Sequence, residues 1–247
     1  MAELRDWHRT VSSRARSDRG QVVAAAGNKT NWFAVWVSAA VVVVLVGVGA
    51  LVWWMNSAAT SPGAAPTGSS VEAETGAIVV GDGADEVELW LDFYCPHCQD
   101  FEDLYGPTIT ELVESDAITL RVQPVALASL NAASGTRFSE RSASAMYCVA
   151  EESGDAAYDF MTAVFATHPT GQGLTNDELA EFAADAGAPE AADCIADETY
   201  ADFVLAQAQE LPQNADGSAG TPTLVVNGEI VPITGDVTAD LTSRLGQ

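Results

Sequence analysis

The densest chemistry in the chain lies in four residues, Cys95-Pro96-His97-Cys98. Two thiols three positions apart can open and close a disulfide, or they can supply half of a tetrahedral zinc site. Pro96 suits the first position of a helix, where its missing N–H costs nothing. Cys95 then sits at the cap, beside unpaired backbone N–H groups and the positive end of the helix dipole. His97 adds a donor or a positive charge next to the sulfur. Settings of this kind lower a cysteine pKa from ~8.5 to as little as ~3.5. A stable thiolate leaves readily, and stabilising the dithiol form makes the disulfide a strong oxidant. On this reading Cys95 is the exposed sulfur that meets other thiols, and Cys98 is the more buried, resolving thiol. Zinc needs two more ligands, but Cys148 and Cys194 stand apart and His168 is isolated, so no metal is expected.

The elements around this motif follow from hydrophobic patterning. Ile78-Val79-Val80 reads as a short strand before the turn Gly81-Asp82-Gly83. Val87 to Phe93 is a second strand with partial alternation. Cys95 to about Ser115 carries Phe101, Leu104, Tyr105, Ile109 and Leu112 at helical spacing, with Pro107 expected to kink the helix. Ile118 to Val122 is the next strand. An Ala-rich helical stretch follows, over about 138–216. Thr221 to Val226 is then a strand, Asn227-Gly228 a hairpin turn, and Glu229-Ile230-Val231 its return. Val237 to Leu245 is expected to close the chain as a helix.

The 247 residues carry 10 basic and 35 acidic side chains, a net charge of −25 that argues against nucleic-acid binding. Six basic residues, Arg5, Arg9, Arg14, Arg16, Arg19 and Lys29, lie in a head over 1–31. Trp32 to Met55 has no charged side chain and is long enough to span a lipid bilayer, with Trp32, Trp36, Trp53 and Trp54 near its ends. The positive-inside rule places the head in the cytoplasm and everything after the span outside. An apolar run of this length favours an uncleaved signal anchor in the cell membrane over a cleaved signal peptide. Residues 56–76, rich in Ser, Ala, Thr, Gly and Pro, read as a flexible linker. Residues 77–247 form the folded domain, with four arginines against 32 acids beyond residue 30.

Cys148 and Cys194 lie 46 positions apart in the helical stretch, neither in a C-x-x-C. In an oxidising compartment two such thiols are expected to pair as a structural disulfide. Spacing leaves two unpaired thiols or a second redox pair open.

Leu91-Asp92-Phe93-Tyr94-Cys95-Pro96-His97-Cys98, followed by Phe101-Glu102, resembles the DsbA family of extracytoplasmic thiol–disulfide oxidoreductases. The resemblance covers residues 77–247. It implies an α/β, thioredoxin-like fold with an inserted α-helical domain, here preceded by one transmembrane helix. Gly220-Thr221-Pro222-Thr223 is similar to the family's cis-proline loop, so Pro222 is expected to be cis and the Thr221 backbone to bind an extended substrate chain. Many members keep a buried acid near the resolving cysteine as a proton shuttle. Glu88 and Asp92 are the candidates, both placed by strand alternation on the face of Trp90. The implied activity is disulfide formation in reduced, unfolded exported proteins, with no cofactor in the chain itself. Turnover then calls for a membrane partner that reoxidises Cys95 and Cys98, a quinone-linked protein like DsbB or like vitamin-K-epoxide reductase. A reductase or isomerase of the same fold, or a metal-binding thioredoxin-fold module, are the alternatives.

Overall fold

The computed structural model describes residues 32–59, 63–214 and 216–246; the basic head lies outside them. Two compact units divide at Trp54 and Met55. The first is dominated by helix α1, Trp32–Ala59. Its segment Val35–Val52 has a mean hydropathy of 2.7 and is long and apolar enough to cross a membrane. None of that window is buried against protein. An apolar surface all round, with nothing packed on it, suits lipid better than water.

The second unit is built on a five-stranded sheet. Its strands are β1 (Ile78–Val80), β2 (Asp85–Leu91), β3 (Ile118–Pro124), β4 (Thr223–Val226) and β5 (Glu229–Val231), in spatial order β1-β3-β2-β4-β5. Only β2 and β3 pair in parallel, joined by the crossover helix α2, Pro96–Glu114. The other pairings are antiparallel. Asn227 and Gly228 both take positive φ, 49° and 82°, which is what a two-residue β4–β5 turn of this hand requires. The fully buried Val87, Leu120, Val122 and Leu224 fill the sheet's part of the core.

Between β3 and β4 lie α3 (Ala128–Ala133), α4 (Phe138–Ala150), α5 (Gly154–Phe165), α6 (Asn176–Asp185), α7 (Ala192–Ala196) and α8 (Ala201–Gln207). All 13 residues of α4 are buried. Its small residues Ser139, Ser142, Ala143, Ser144 and Ala145 let neighbouring helices approach on every side. The one guanidinium buried there, Arg141, donates to Asn176 Oδ1 and the Leu174 carbonyl at 2.8 Å and to the Thr136 carbonyl at 2.9 Å. One continuous apolar core joins these helices to the sheet. This is a thioredoxin-like fold with an inserted helical layer.

Three local expectations need correction. The stretch expected as linker over 56–76 begins inside α1 and, after residues that are not described, packs onto the domain. Pro66 and Val71 are buried, Val71 bridges to Ile78, Thr67 N–H donates to Glu151 Oε1 at 2.6 Å, and Glu72 pairs with Arg121. These partners are remote in sequence, so composition alone reads the segment as free chain. Helix α3 is an additional element, held by the Glu140 carboxylate on Asn131 Nδ2 at 2.8 Å. The closing helix is split into α9 (Val237–Asp240) and a 3₁₀ turn, Thr242–Arg244, by the non-helical Leu241, which is fully buried.

Candidate active site

The antiparallel register of β2 and β4 decides where the site lies. Trp90, near the end of β2, pairs with Thr223, the first residue of β4. The loop entering β4 therefore lies beside the loop leaving β2. The first of these loops carries Thr221 and Pro222, and the second carries Cys95. The Thr221–Pro222 peptide is cis. Thr223 Oγ1 donates to the Gly220 carbonyl at 2.6 Å and closes the turn. Helix α2 begins at Pro96 with Cys95 as its cap, in extended conformation and without a side-chain cap bond. The Cys95 N–H donates to the Asp92 carbonyl, and the Cys98 N–H to the Cys95 carbonyl, each at 3.0 Å.

Both thiols are free, and their environments are opposed. Cys95 is 5% exposed and Cys98 2%, so the sulfur expected to be exposed is nearly covered. What covers it is the proline loop: Cys95 Sγ donates to the Thr221 carbonyl at 3.3 Å. The Cys95 pKa is lowered to about 5, first by a hydrogen bond from the Cys98 thiol, against the opposing effect of burial. The Thr221 side chain and the backbone N–H groups of Cys98 and His97 lower it further. Cys98 is pushed well above the usual thiol value, first by burial and then by the Cys95 sulfur. The negative charge of the pair thus rests on Cys95.

His97 contributes its backbone N–H to the Cys95 sulfur. Its ring lies 3.9 Å from Asp100, with both side chains 80% exposed. Pro96 stands at the first helical position. The two candidate acids part company. Asp92 lies just beyond the end of β2 and is fully buried. One carboxylate oxygen accepts the Tyr94 N–H at 2.9 Å and the other the Leu127 N–H at 2.8 Å, joining the active-site loop to the chain after β3. Burial raises its pKa to about 6, with a smaller contribution from the Cys95 charge. Glu88 is half-buried, accepts from the Trp90 indole and lies 3.9 Å from Arg121. Strand alternation does put Glu88 beside Trp90, but it cannot place Asp92, which lies outside the strand. Cys148 of α4 and Cys194 of α7 form a disulfide in the insert, their Cα atoms 5.8 Å apart.

The Thioredoxin family model matches residues 74–242. The oxidized Mtb DsbA is 31% identical, with 69% of this chain and 93% of that one covered and a TM-score of 0.57. The chain is a member of the thioredoxin family, of the DsbA type. The reduced DsbG from Mycobacterium tuberculosis, described as a disulfide bond oxidoreductase, is also 31% identical, covering 77% of this chain and 92% of its own, with a TM-score of 0.55. MdbA from Corynebacterium matruchotii, 22% identical, shares the fold with a TM-score of 0.58 over 72% of this chain and 92% of its own. No curated protein matches.

Two features of this DsbA-type site escape a reading of the sequence. Glu102, one helical turn after Cys98, has its carboxyl pKa raised to about 7 by burial and then by Asp103. Gly106 makes the room, since a Cβ there would come within 2.7 Å of Glu102 Oε1. An exposed helix face full of acids hides such a residue, and only the adjacent Phe101, Tyr105 and Gly106 hint at it. The loop over 168–174 is clasped from both sides. Tyr94 Oη donates to the Gly171 carbonyl at 2.7 Å and Gln99 Nε2 to the Pro169 carbonyl at 3.1 Å. From the insert, Thr136 Oγ1 donates to the Gln172 carbonyl at 2.5 Å.

Proposed function

We propose that the protein is a membrane-anchored oxidase of the DsbA type that introduces disulfides into exported polypeptides. The observation that carries this reading is the asymmetry of the Cys95–Cys98 pair. Cys95 is lowered to about 5 and Cys98 raised, so the dithiol form holds a stable thiolate. A stable reduced form makes the oxidised form a willing donor of its disulfide.

Exchange begins when a substrate thiolate attacks Cys95 Sγ of the oxidised pair. The Cys95–Cys98 bond breaks, and Cys98 leaves with the electron pair and takes up a proton. A bond now joins the substrate sulfur to Cys95. A second substrate thiolate attacks that substrate sulfur, and Cys95 leaves as the thiolate. Two electrons have passed from the substrate dithiol to the enzyme pair. Thr221 and Pro222 hold the substrate backbone beside Cys95. Asp92 is the better-placed of the two candidate acids to accept or return a proton, because it is buried and senses the charge on Cys95. Glu88 is engaged with Trp90 and Arg121.

The two electrons then leave through a membrane partner, a quinone-linked reoxidase like DsbB or like vitamin-K-epoxide reductase. The apolar helix over 32–55 keeps enzyme and partner in one bilayer. The basic residues before it in the sequence support an orientation with the N-terminus in the cytoplasm and the catalytic domain outside. Cys148 and Cys194 serve structure, in keeping with an oxidising compartment. The similar DsbG is described as a disulfide bond oxidoreductase, a term that also covers a second reading, in which the same site isomerises or reduces existing disulfides.

Mixing oxidised full-length protein in detergent with reduced, unfolded ribonuclease separates the two. The oxidase reading expects one protein disulfide formed per enzyme disulfide consumed. Efficient reduction of insulin disulfides, with no gain of disulfides in ribonuclease, supports the second reading instead.

A further inference from the structure

The folded unit hides its large apolar side chains well, and the exceptions cluster. Among the described residues beyond α1, four large apolar side chains are more than a third exposed: Leu104, Leu205, Ile230 and Ile233. Three of the four border the proline loop. Leu104 and Ile233 line a groove of about 420 Å³ that runs from His97 to Pro222. Ile230 and Ile233 line a second, of about 420 Å³, on the other side of Thr221 and Pro222. Exposed apolar side chains gathered round a reactive centre mark a contact surface.

Among the described residues, Asp100 is the one carboxylate that lines these grooves, and His97, 3.9 Å from it, is the one side chain there that can become a cation. Asp100 lines the first groove, its side chain 80% exposed. No arginine or lysine lines either groove among the described residues. The arginines of the folded unit are engaged elsewhere. Arg121 is held by Glu72, Arg137 by Glu140 and Glu198, and Arg141 by carbonyls of the insert. Arg244 donates to the Ala239 carbonyl at 3.1 Å. While the His97 ring is uncharged, a carboxylate on the segment that docks here meets repulsion from Asp100 with no arginine or lysine to compensate, and an ammonium or guanidinium meets attraction.

We infer that the two grooves select extended cysteine-bearing segments whose cysteine is flanked by apolar and basic residues, and that they discriminate against acidic flanks. The inference rests on the thiol-exchange reading of Cys95 and adds which thiols it meets. Leu104, Ile230 and Ile233 supply apolar contact on either side of the cysteine, and Asp100 supplies the preference of sign. Selection of this kind comes as much from what is repelled as from what is held.

The test uses full-length protein in detergent and three extended peptides with one central cysteine: Leu and Lys flanks, Leu and Glu flanks, and Gly and Ser flanks. Exchange is timed in both directions, from oxidised enzyme to peptide thiol and from peptide disulfide to reduced enzyme. The direction that runs faster reports oxidase against reductase; the ratio between peptides, read in either direction, reports selection. The expected kcat/KM ratio of Lys-flanked to Glu-flanked peptide is about tenfold at low salt. It shrinks to about twofold in 1 M salt, where the screening length is only ~3 Å. Asp100→Lys brings the low-salt ratio to about one or below. Ile233→Ser narrows the advantage of the Leu- and Lys-flanked peptide over the Gly- and Ser-flanked one. A ratio near one at low salt in the wild type, or a tenfold ratio unchanged by Asp100→Lys, overturns the inference whichever direction exchange prefers.

Discussion

The protein holds two pairs of cysteines, and their surroundings are opposite. Cys148 and Cys194 come from two helices of the insert, 46 residues apart, and are joined among apolar neighbours with no stabilised thiolate between them. Cys95 and Cys98 share a single helical turn, and there the fold separates the two sulfurs electrostatically. Cys95 gathers the Cys98 thiol, the Thr221 loop and two backbone N–H groups. Cys98 receives burial and the neighbouring negative sulfur. The same side chain becomes a staple or a reagent according to whether the fold treats both partners alike.

The largest effect that sharpens this contrast is loss of the reagent. Cys95→Ser abolishes disulfide exchange with peptide thiols and lowers the thermal midpoint of the reduced protein at neutral pH, because the stability lent by the thiolate goes with it. A variant that still exchanges sulfur through Cys98 breaks the division of roles. Removing the staple instead, with Cys148→Ala and Cys194→Ala together, lowers stability by about 4 kcal/mol in the chain-entropy view of a 46-residue loop. Urea unfolding measures it, and the Cys95 titration stays where it was. A shift in that titration contradicts the independence of the two pairs.

The next effect is on pH. The Cys95 pKa is depressed to about 5 in the folded protein. The stability it lends the dithiol form is therefore complete above the unfolded thiol value of ~8.5 and is lost as pH falls toward 5. Alkylation by iodoacetamide, followed by mass spectrometry, should show a midpoint near 5. Asp92 runs the other way. Its pKa is raised to about 6, so its burial opposes folding more as pH rises from about 4 to 6. Carboxyl NMR should place its midpoint higher in the dithiol protein than in the disulfide protein, because the Cys95 thiolate disfavours its ionisation. Equal midpoints in the two states sever that link. The smallest effect is that of Thr221→Val, which raises the Cys95 midpoint less than Cys98→Ala does, since the Cys98 thiol is the chief cause of the depression.

How much of this is readable in sequence depends on range. Cys95-Pro96-His97-Cys98 is local: a strand, a cap and a helix start lie within a dozen residues, and the structure keeps that order. The Thr221–Pro222 loop is found through a family resemblance, and the β2–β4 register explains its place. What stays hidden depends on distant partners. Val71 and Glu72 sit in a stretch composed like a linker, but Ile78 and Arg121 dock it. Alternation carries Asp92 into the strand, but β2 ends first, and the carboxylate turns to the Tyr94 and Leu127 N–H groups. Glu102 looks like one more surface acid until Gly106 leaves room for it to be covered.

The central claim is that the fold stabilises the Cys95 thiolate enough to make the pair an oxidant. The equilibrium reduction potential of Cys95–Cys98 in full-length protein, measured against glutathione, tests it most directly. Among other proteins of the wider fold, DsbA and protein disulfide isomerase lie at roughly −120 and −180 mV, and thioredoxin at about −270 mV. The expected value for this pair falls between the first two. A value near that of thioredoxin would mean that the asymmetry between the two sulfurs does not favour the dithiol, and that the protein gives electrons rather than takes them.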